Sequence, residues 1–414
     1  MLAFFSFQNF KNKTYRNILL VSVLSGIILQ SFLYPSLDYI ALNIKNNESQ
    51  FYNYATIAAL ALTIPQACSI LISYLINNIR YTRMIITTTT MLSLISVIML
   101  FLSHDYNLYA YWAILCGILI NALNLCLNRQ IYILIADKVK DLQSDIMLFA
   151  TLGNVIGYKL SNLFFSKFGN QSIIICFIFS IGAIFLALRK IPAINYTLKE
   201  KCNSPVTPNI GNVTKLILKQ QNLITFLAIM LAIVLCNSGV ILFLTTKIHN
   251  SQLPTSVFAN IMSAMAIGGF IGAIISKNTK LQSINSINIL SSAGIFSAVC
   301  LITFSLNNSP LVWNILFAIF GAANALFLIN MNVTFAQFII KNKALLAIAP
   351  LINGCTMTSF YSVSLIGPFI FKHLLQAQFL LNNILLSTSL ISLTLMLFLL
   401  IVKGKLAGEE SILT

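Results

Sequence analysis

Charge is scarce in this 414-residue chain: Asp, Glu, Lys and Arg make up 8% of it, against roughly a quarter in soluble globular proteins. A water-soluble enzyme of two or three domains would have no surface to show solvent. Histidine is scarcer still, with three residues (His104, His249 and His373) that fall in short polar breaks. Of eight cysteines, seven (Cys68, Cys116, Cys126, Cys176, Cys236, Cys300 and Cys355) lie inside apolar runs, and no Cys-x-x-Cys or Cys/His cluster occurs. That pattern excludes a disulfide framework and speaks against a metal centre, because membrane cysteines of this kind are small packing residues. No phosphate-binding loop, nucleophile elbow, His-Glu-x-x-His or carboxylate pair beside a histidine is present. Neither an enzyme nor a cofactor is therefore expected.

What the chain has is apolar length. Apolar residues are 58% of the total, and a spanning helix needs about 20 of them, so the composition holds close to twelve spans. Apolar runs can be drawn at 17–41, 54–76, 84–103, 110–133, 144–165, 171–188, 222–246, 256–276, 284–306, 312–338, 346–370 and 379–402. The expected fold class is an all-α polytopic membrane protein, with twelve transmembrane helices in two pseudo-symmetric six-helix bundles.

The net charge of +16 would suggest nucleic acid or another acidic partner in a soluble chain. Here it sorts by side. With the N-terminus inside, twenty Lys and Arg fall on cytoplasmic segments, while Lys45, Lys167, Lys247 and Lys372 fall in outer loops. Positive residues stay cytoplasmic, so both termini are assigned inside and no nucleic-acid partner is expected. Residues 1–16, with Lys11, Lys13 and Arg16 and no small-residue cleavage site, read as a retained cytoplasmic arm. The arm leads into a first bundle (17–188), a polar central loop (189–221) with Pro192, Pro205 and Pro208, a second bundle (222–402) and a tail (403–414).

The two bundles share a repeat. Asn121-Ala122-Leu123-Asn124-Leu125 matches Asn324-Ala325-Leu326-Phe327-Leu328, and the same offset places Lys138 and Lys140 on Lys341 and Lys343. Trp112 and Trp313, the only tryptophans, stand at the outer starts of runs four and ten, where indoles anchor at the interface. Such halves are the architecture of secondary transporters that rock one bundle against the other.

Six plus six spans, a basic central loop and inward termini resemble the major facilitator superfamily along essentially the whole chain. Ser73-Tyr74-Leu75-Ile76-Asn77-Asn78-Ile79-Arg80-Tyr81-Thr82-Arg83 keeps the spacing and late positives of the family's motif between spans two and three, without its Gly and Asp. Gly272 to Lys280 keeps the Gly and the basic residue, with Ser276 at the acid position. Gly153-Asn154-Val155-Ile156-Gly157-Tyr158-Lys159 is similar to the antiporter motif of span five, with Gly367-Pro368 at the related place in span eleven. Tyr34-Pro35-Ser36-Leu37-Asp38 resembles the span-one signature of small-drug exporters.

Polar residues inside the spans are the site candidates. The resemblance implies that spans one, four, seven and ten line a central cavity. Asn121, Asn124 and Asn128 form one helical stripe on span four, with Asn324 as the counterpart of Asn121; they either face substrate or bond neighbouring helices as packing glue. Gln30, Tyr34 and Asp38 share a face of span one, and Asn154, Lys159 and Asn237 complete the cavity set. An unpaired charge in a span is costly, so Asp38 and Lys159 are expected to pair; otherwise Asp38 sits in the outer interface and Lys159 snorkels to it. Asp137, Asp141 and Asp145 repeat every fourth residue at the inner end, near Arg129, Arg80 and Arg83, as inner-gate salt bridges or as a solvated helix end.

The expected function is secondary active transport of a small organic solute across a cytoplasmic (inner) membrane by alternating access, by a monomer of exporter-like type. Uptake of a metabolite or anion, or a lysophospholipid-type flippase, is the alternative.

Overall fold

A computed structural model of the chain describes residues 34–44, 47–69, 105–134, 151–160, 221–278, 284–341, 349–377 and 380–408, with scattered positions in 19–27, 71–102 and 145–149 and at 182 and 281. The described residues are helical apart from short turns, and no strand occurs among them. In chain order the helices are α1 (Tyr34–Leu42), α2 (Glu48–Ala67), α3 (Tyr106–Leu134) and α4 (the described positions between 145 and 160). After residue 220 follow α5 (Gln221–Asn237), α6 (Val240–Asn250), α7 (Thr255–Ser276), α8 (Ser286–Leu306), α9 (Pro310–Lys341), α10 (Ala349–Gln376) and α11 (Leu381–Gly408).

Five stretches are long and apolar enough to cross a bilayer among the described residues: Leu223–Asn250, Thr255–Ser276, Ser286–Leu306, Pro310–Phe335 and Leu381–Ile401. They fall on expected runs, because a helix satisfies every backbone polar group internally where no water reaches. The turn at Ser251–Pro254 defines a distal face. The turn after Ser276 defines the proximal one.

Small residues set the closest helix approaches. A Cβ on Gly268 would stand 1.8 Å from the Ala318 carbonyl oxygen, one on Gly272 2.4 Å from that of Ala322, and one on Gly321 1.9 Å from that of Met265. Helices α7 and α9 thus touch backbone to backbone. In lipid, where apolar burial gives no advantage over the acyl chains, such contact supplies the dispersion that holds helices together.

The run at 222–246 departs from the expectation of one continuous helix. It breaks at Ser238-Gly239, between α5 and α6. Ser238 donates its backbone N–H and its hydroxyl to the Leu235 carbonyl, at 3.3 and 2.7 Å. The break packs on α10: a Cβ on Gly367 would stand 1.7 Å from Ser238 Oγ, and one on Gly239 2.2 Å from the Phe371 ring. Unwound backbone at membrane depth is tolerated where protein covers it, and the Gly367-Pro368 step makes that cover close.

Trp313 also departs from its expected place. It is fully buried, edge-on to the Phe304 ring, and donates Nε1–H to the Asn307 carbonyl at 2.9 Å. It is a core residue and not an interfacial anchor.

Candidate functional site

The chain before and after residues 189–221 meets along a seam. On the distal side, Thr245 of α6 places its hydroxyl 3.4 Å from Asp38 Oδ1 of α1, both side chains being buried. One turn further on, the His249 ring stacks on Phe51 of α2 at 3.9 Å and 8°. Ala41, Leu42, Phe51, Ala55 and Tyr158 from the first half join Val240, Phe243, Ile248 and Phe258 from the second in one hydrophobic cluster. The Tyr54 and Tyr106 rings stack at 3.7 Å, and Tyr106 donates its hydroxyl to the Tyr54 carbonyl, bracing α2 on α3 behind this contact.

A second line of contact runs between α4 and α7, which pack antiparallel. Lys277 forms an ion pair with Asp145 at the proximal end, Thr151 Cγ2 lies 3.0 Å from the place of a Cβ on Gly269, and Lys159 Nζ donates to Asn260 Oδ1 at 3.3 Å. Asp145 and Lys159 thus mark the proximal and distal ends of this line of contact. Gly153 faces the other way; a Cβ there would stand 2.4 Å from the Val23 carbonyl oxygen, so this motif glycine admits the first span.

These contacts correct the expected pairing of Asp38 with Lys159. Asp38 takes a hydroxyl from α6 and Lys159 an amide from α7, and no ion pair joins them. The two point to different sides of the seam: Asp38 is buried and Lys159 exposed. At the proximal end Asp145 is bonded across the halves to Lys277, a residue absent from the candidates. The signal that could have found it is the acid missing at Ser276: the basic residue beside it needs a carboxylate from elsewhere.

The amides divide. Asn121 is buried and donates Nδ2–H to the Pro65 carbonyl at 2.7 Å and to Ser69 Oγ at 3.0 Å. It satisfies a carbonyl in the last turn of α2, where no intrahelical N–H is available, and is packing glue. Asn324 and Asn237 are half-buried at mid-height of their spans, and neither bonds to a described residue. Asn154 is half-buried on α4. Gln30, Arg80, Arg83, Asp137 and Asp141 lie outside the described residues, as do the side chains of Tyr34, Asn124 and Arg129.

Lys247, counted from sequence as an outer-loop positive, is buried within α6. Its ammonium donates to the carbonyls of Phe304 (2.6 Å), Ser305 (3.3 Å) and Asn307 (2.7 Å) and lies over the Phe304 and Trp313 rings at 4.7 and 5.3 Å. It closes the C-terminus of α8, where orphan carbonyls and the helix dipole favour a cation.

A helical, membrane-spanning chain with two halves joined by side-chain contacts, and with amides at mid-height that bond to no described residue, has the build of a carrier. The chain belongs to the Major Facilitator Superfamily, whose profile matches residues 18–368. The structure is similar to that of the nucleoside transporter NupG, with TM-scores of 0.70 for a point mutant and 0.68 for the other NupG structure, both at 13% identity. The former alignment covers 93% of this chain and 98% of that one, and the latter 94% and 98%. It is also similar to the human organic anion transporter MFSD10 (TETRAN), with a TM-score of 0.65 at 13% identity over 93% of this chain and 99% of that one. No curated protein sequence matches the chain significantly. The protein is thus a multi-pass membrane transporter for small molecules, of the major facilitator fold.

Proposed function

We propose that the protein moves a small amphipathic organic solute by alternating access, in the export direction. The observation that carries the alternating part is the distal contact set. Thr245 to Asp38 and His249 on Phe51 join the halves through side chains alone, so the distal face can open by parting them without breaking a helix. The half-buried amides at the middle of two spans support placing the solute at mid-height. Asn237, beside the break, and Asn324 are the amides we assign to it. The likeness of Tyr34 to Asp38 to drug exporters supports the direction.

Orientation follows the charge count. With Lys247 withdrawn from the loops as a buried helix cap, the imbalance sharpens, which supports cytoplasmic termini, a cytoplasmic 189–221 loop between two six-span bundles, and an inner-membrane location. The test is transport in vesicles of defined orientation, with a panel of drugs, nucleosides and organic anions, since the two named neighbours carry the latter two. Efflux of an amphipathic drug, lost in Asn324→Ala at unchanged melting temperature, is expected. Accumulation of a nucleoside or an organic anion instead would replace export by the second reading, metabolite uptake.

A further inference from the structure

A cation and an amide lie exposed at the distal end of the α4–α7 seam. Lys159 and Asn260 are both exposed and bonded to each other at 3.3 Å. On α7, Asn260 shares its exposed face with Ile267, Ile271 and Ile275, seven, eleven and fifteen residues on, which are 43%, 47% and 40% exposed. At a period of 3.6 these positions make one stripe, and the opposite face, with Ile261, Met262, Gly269 and Ala273, is buried. On α4, Ile156, one turn before Lys159, is 38% exposed. The polar pair is therefore set into an exposed apolar surface.

Three observations ask for an anion there. Asn260 supplies an amide oxygen and no negative charge, and the Lys159 head has two further N–H groups to donate. Asp38 is engaged by Thr245, and Asp145 lies at the other end of the seam on Lys277. Since Asn260 Oδ1 accepts from Lys159, its Nδ2 group remains as a donor beside the ammonium. Depth selects the anion. Asn260 lies about 8 Å of helix below the entry of α7, within the reach over which a lysine head climbs to the headgroup layer.

We propose that Lys159 and Asn260 form a headgroup site for an anionic phospholipid of the distal leaflet. Its phosphate accepts from Lys159 Nζ and Asn260 Nδ2, and its acyl chains lie along Ile156, Ile267 and Ile271. One residue comes from each half, so the bound lipid clips the seam and ties the exchange between states to the anionic content of the leaflet. The site is independent of the solute and of the direction of transport.

The test uses the full-length purified protein and native mass spectrometry, with dioleoylphosphatidylglycerol and dioleoylphosphatidylcholine at equal concentration. The wild type retains the anionic lipid over the zwitterionic one. Lys159→Gln lowers retained phosphatidylglycerol roughly fivefold, the share of one lysine near an anionic surface, and leaves phosphatidylcholine unchanged. Lys159→Arg keeps it, and Lys372→Gln, at another distal cation, does not change it. Asn260→Asp sets a carboxylate on the ammonium and releases the lipid to the same extent as Lys159→Gln; should Lys159→Gln not fold, this variant decides. Unchanged phosphatidylglycerol retention in either folded variant overturns the proposal. Complete displacement of the lipid by tail-less glycerol phosphate also overturns it, in favour of a soluble phosphate ligand.

Discussion

Lys277, at the proximal end of α7, is ion-paired with Asp145, at the start of α4 in the other half of the chain. Both side chains are nearly buried, at 11% and 6% exposure. Removing one partner takes away a charge-assisted bond across the halves, which costs about 2 kcal/mol. Asp145→Ala and Lys277→Ala are each expected to lower the melting temperature of the purified protein. The charge-swapped double variant, Asp145→Lys with Lys277→Asp, regains most of the loss. A double variant no more stable than the worse single one would show that the pair does not act as a unit.

On the distal side, His249 and Phe51 stack across the halves. Cysteines at both positions, in a background with the native cysteines replaced, are expected to cross-link on oxidation. Transport then stops and returns on reduction. Cross-linking that leaves transport intact would mean that these faces do not separate in the cycle.

Thr245→Val keeps the shape of the side chain and removes the hydroxyl that Asp38 shares, at 3.4 Å, with the Ile241 carbonyl at 2.8 Å. A buried carboxyl deprived of its donor costs about 1–3 kcal/mol. The distal contact therefore weakens, and the rate of the 51–249 cross-link falls, whereas Thr246→Val, whose hydroxyl serves only the Leu242 carbonyl of its own helix, leaves that rate unchanged.

Lys247 satisfies three carbonyls at the end of α8. Lys247→Met keeps the stem and deletes the ammonium, stranding those oxygens. A loss of about 2 kcal/mol or more is expected, read as a lowered melting temperature, with the solute's apparent affinity unchanged in the folded fraction.

Asn121 and Asn324 stand at matching places in two similar stretches of the sequence, and they are expected to differ in use. Asn121→Ala removes two buried hydrogen bonds, to Pro65 of α2 and to Ser69 just beyond it, and lowers stability by about 1–2 kcal/mol. Asn324→Ala leaves the melting temperature in place and weakens solute binding. The reverse outcome would exchange their roles.

Much of the frame was legible without coordinates. Helices α7, α8 and α11 begin within two residues of the runs drawn for them, because apolar length against bilayer thickness is a local property. The break in the seventh run was not drawn, although Asn237-Ser238-Gly239 carries three poor helix formers in a row. Hydropathy alone does not register a kink that a neighbouring Gly-Pro step makes room for. Lys247 was misplaced for a related reason: a buried lysine and a loop lysine look alike until the carbonyls that hold it are seen.

By itself the sequence determined that this chain lives in a bilayer and where the five described spans lie, since partition between water and lipid depends on composition over about 20 residues. Only the tertiary structure decided the partners: Asp38 with Thr245, Lys159 with Asn260, and Asp145 with Lys277. Each of these joins residues more than a hundred positions apart. Which polar group meets which in a low-dielectric interior depends on helix rotation and register, and those are set by the packing of glycine and small side chains along the seams and not by the polar residues themselves.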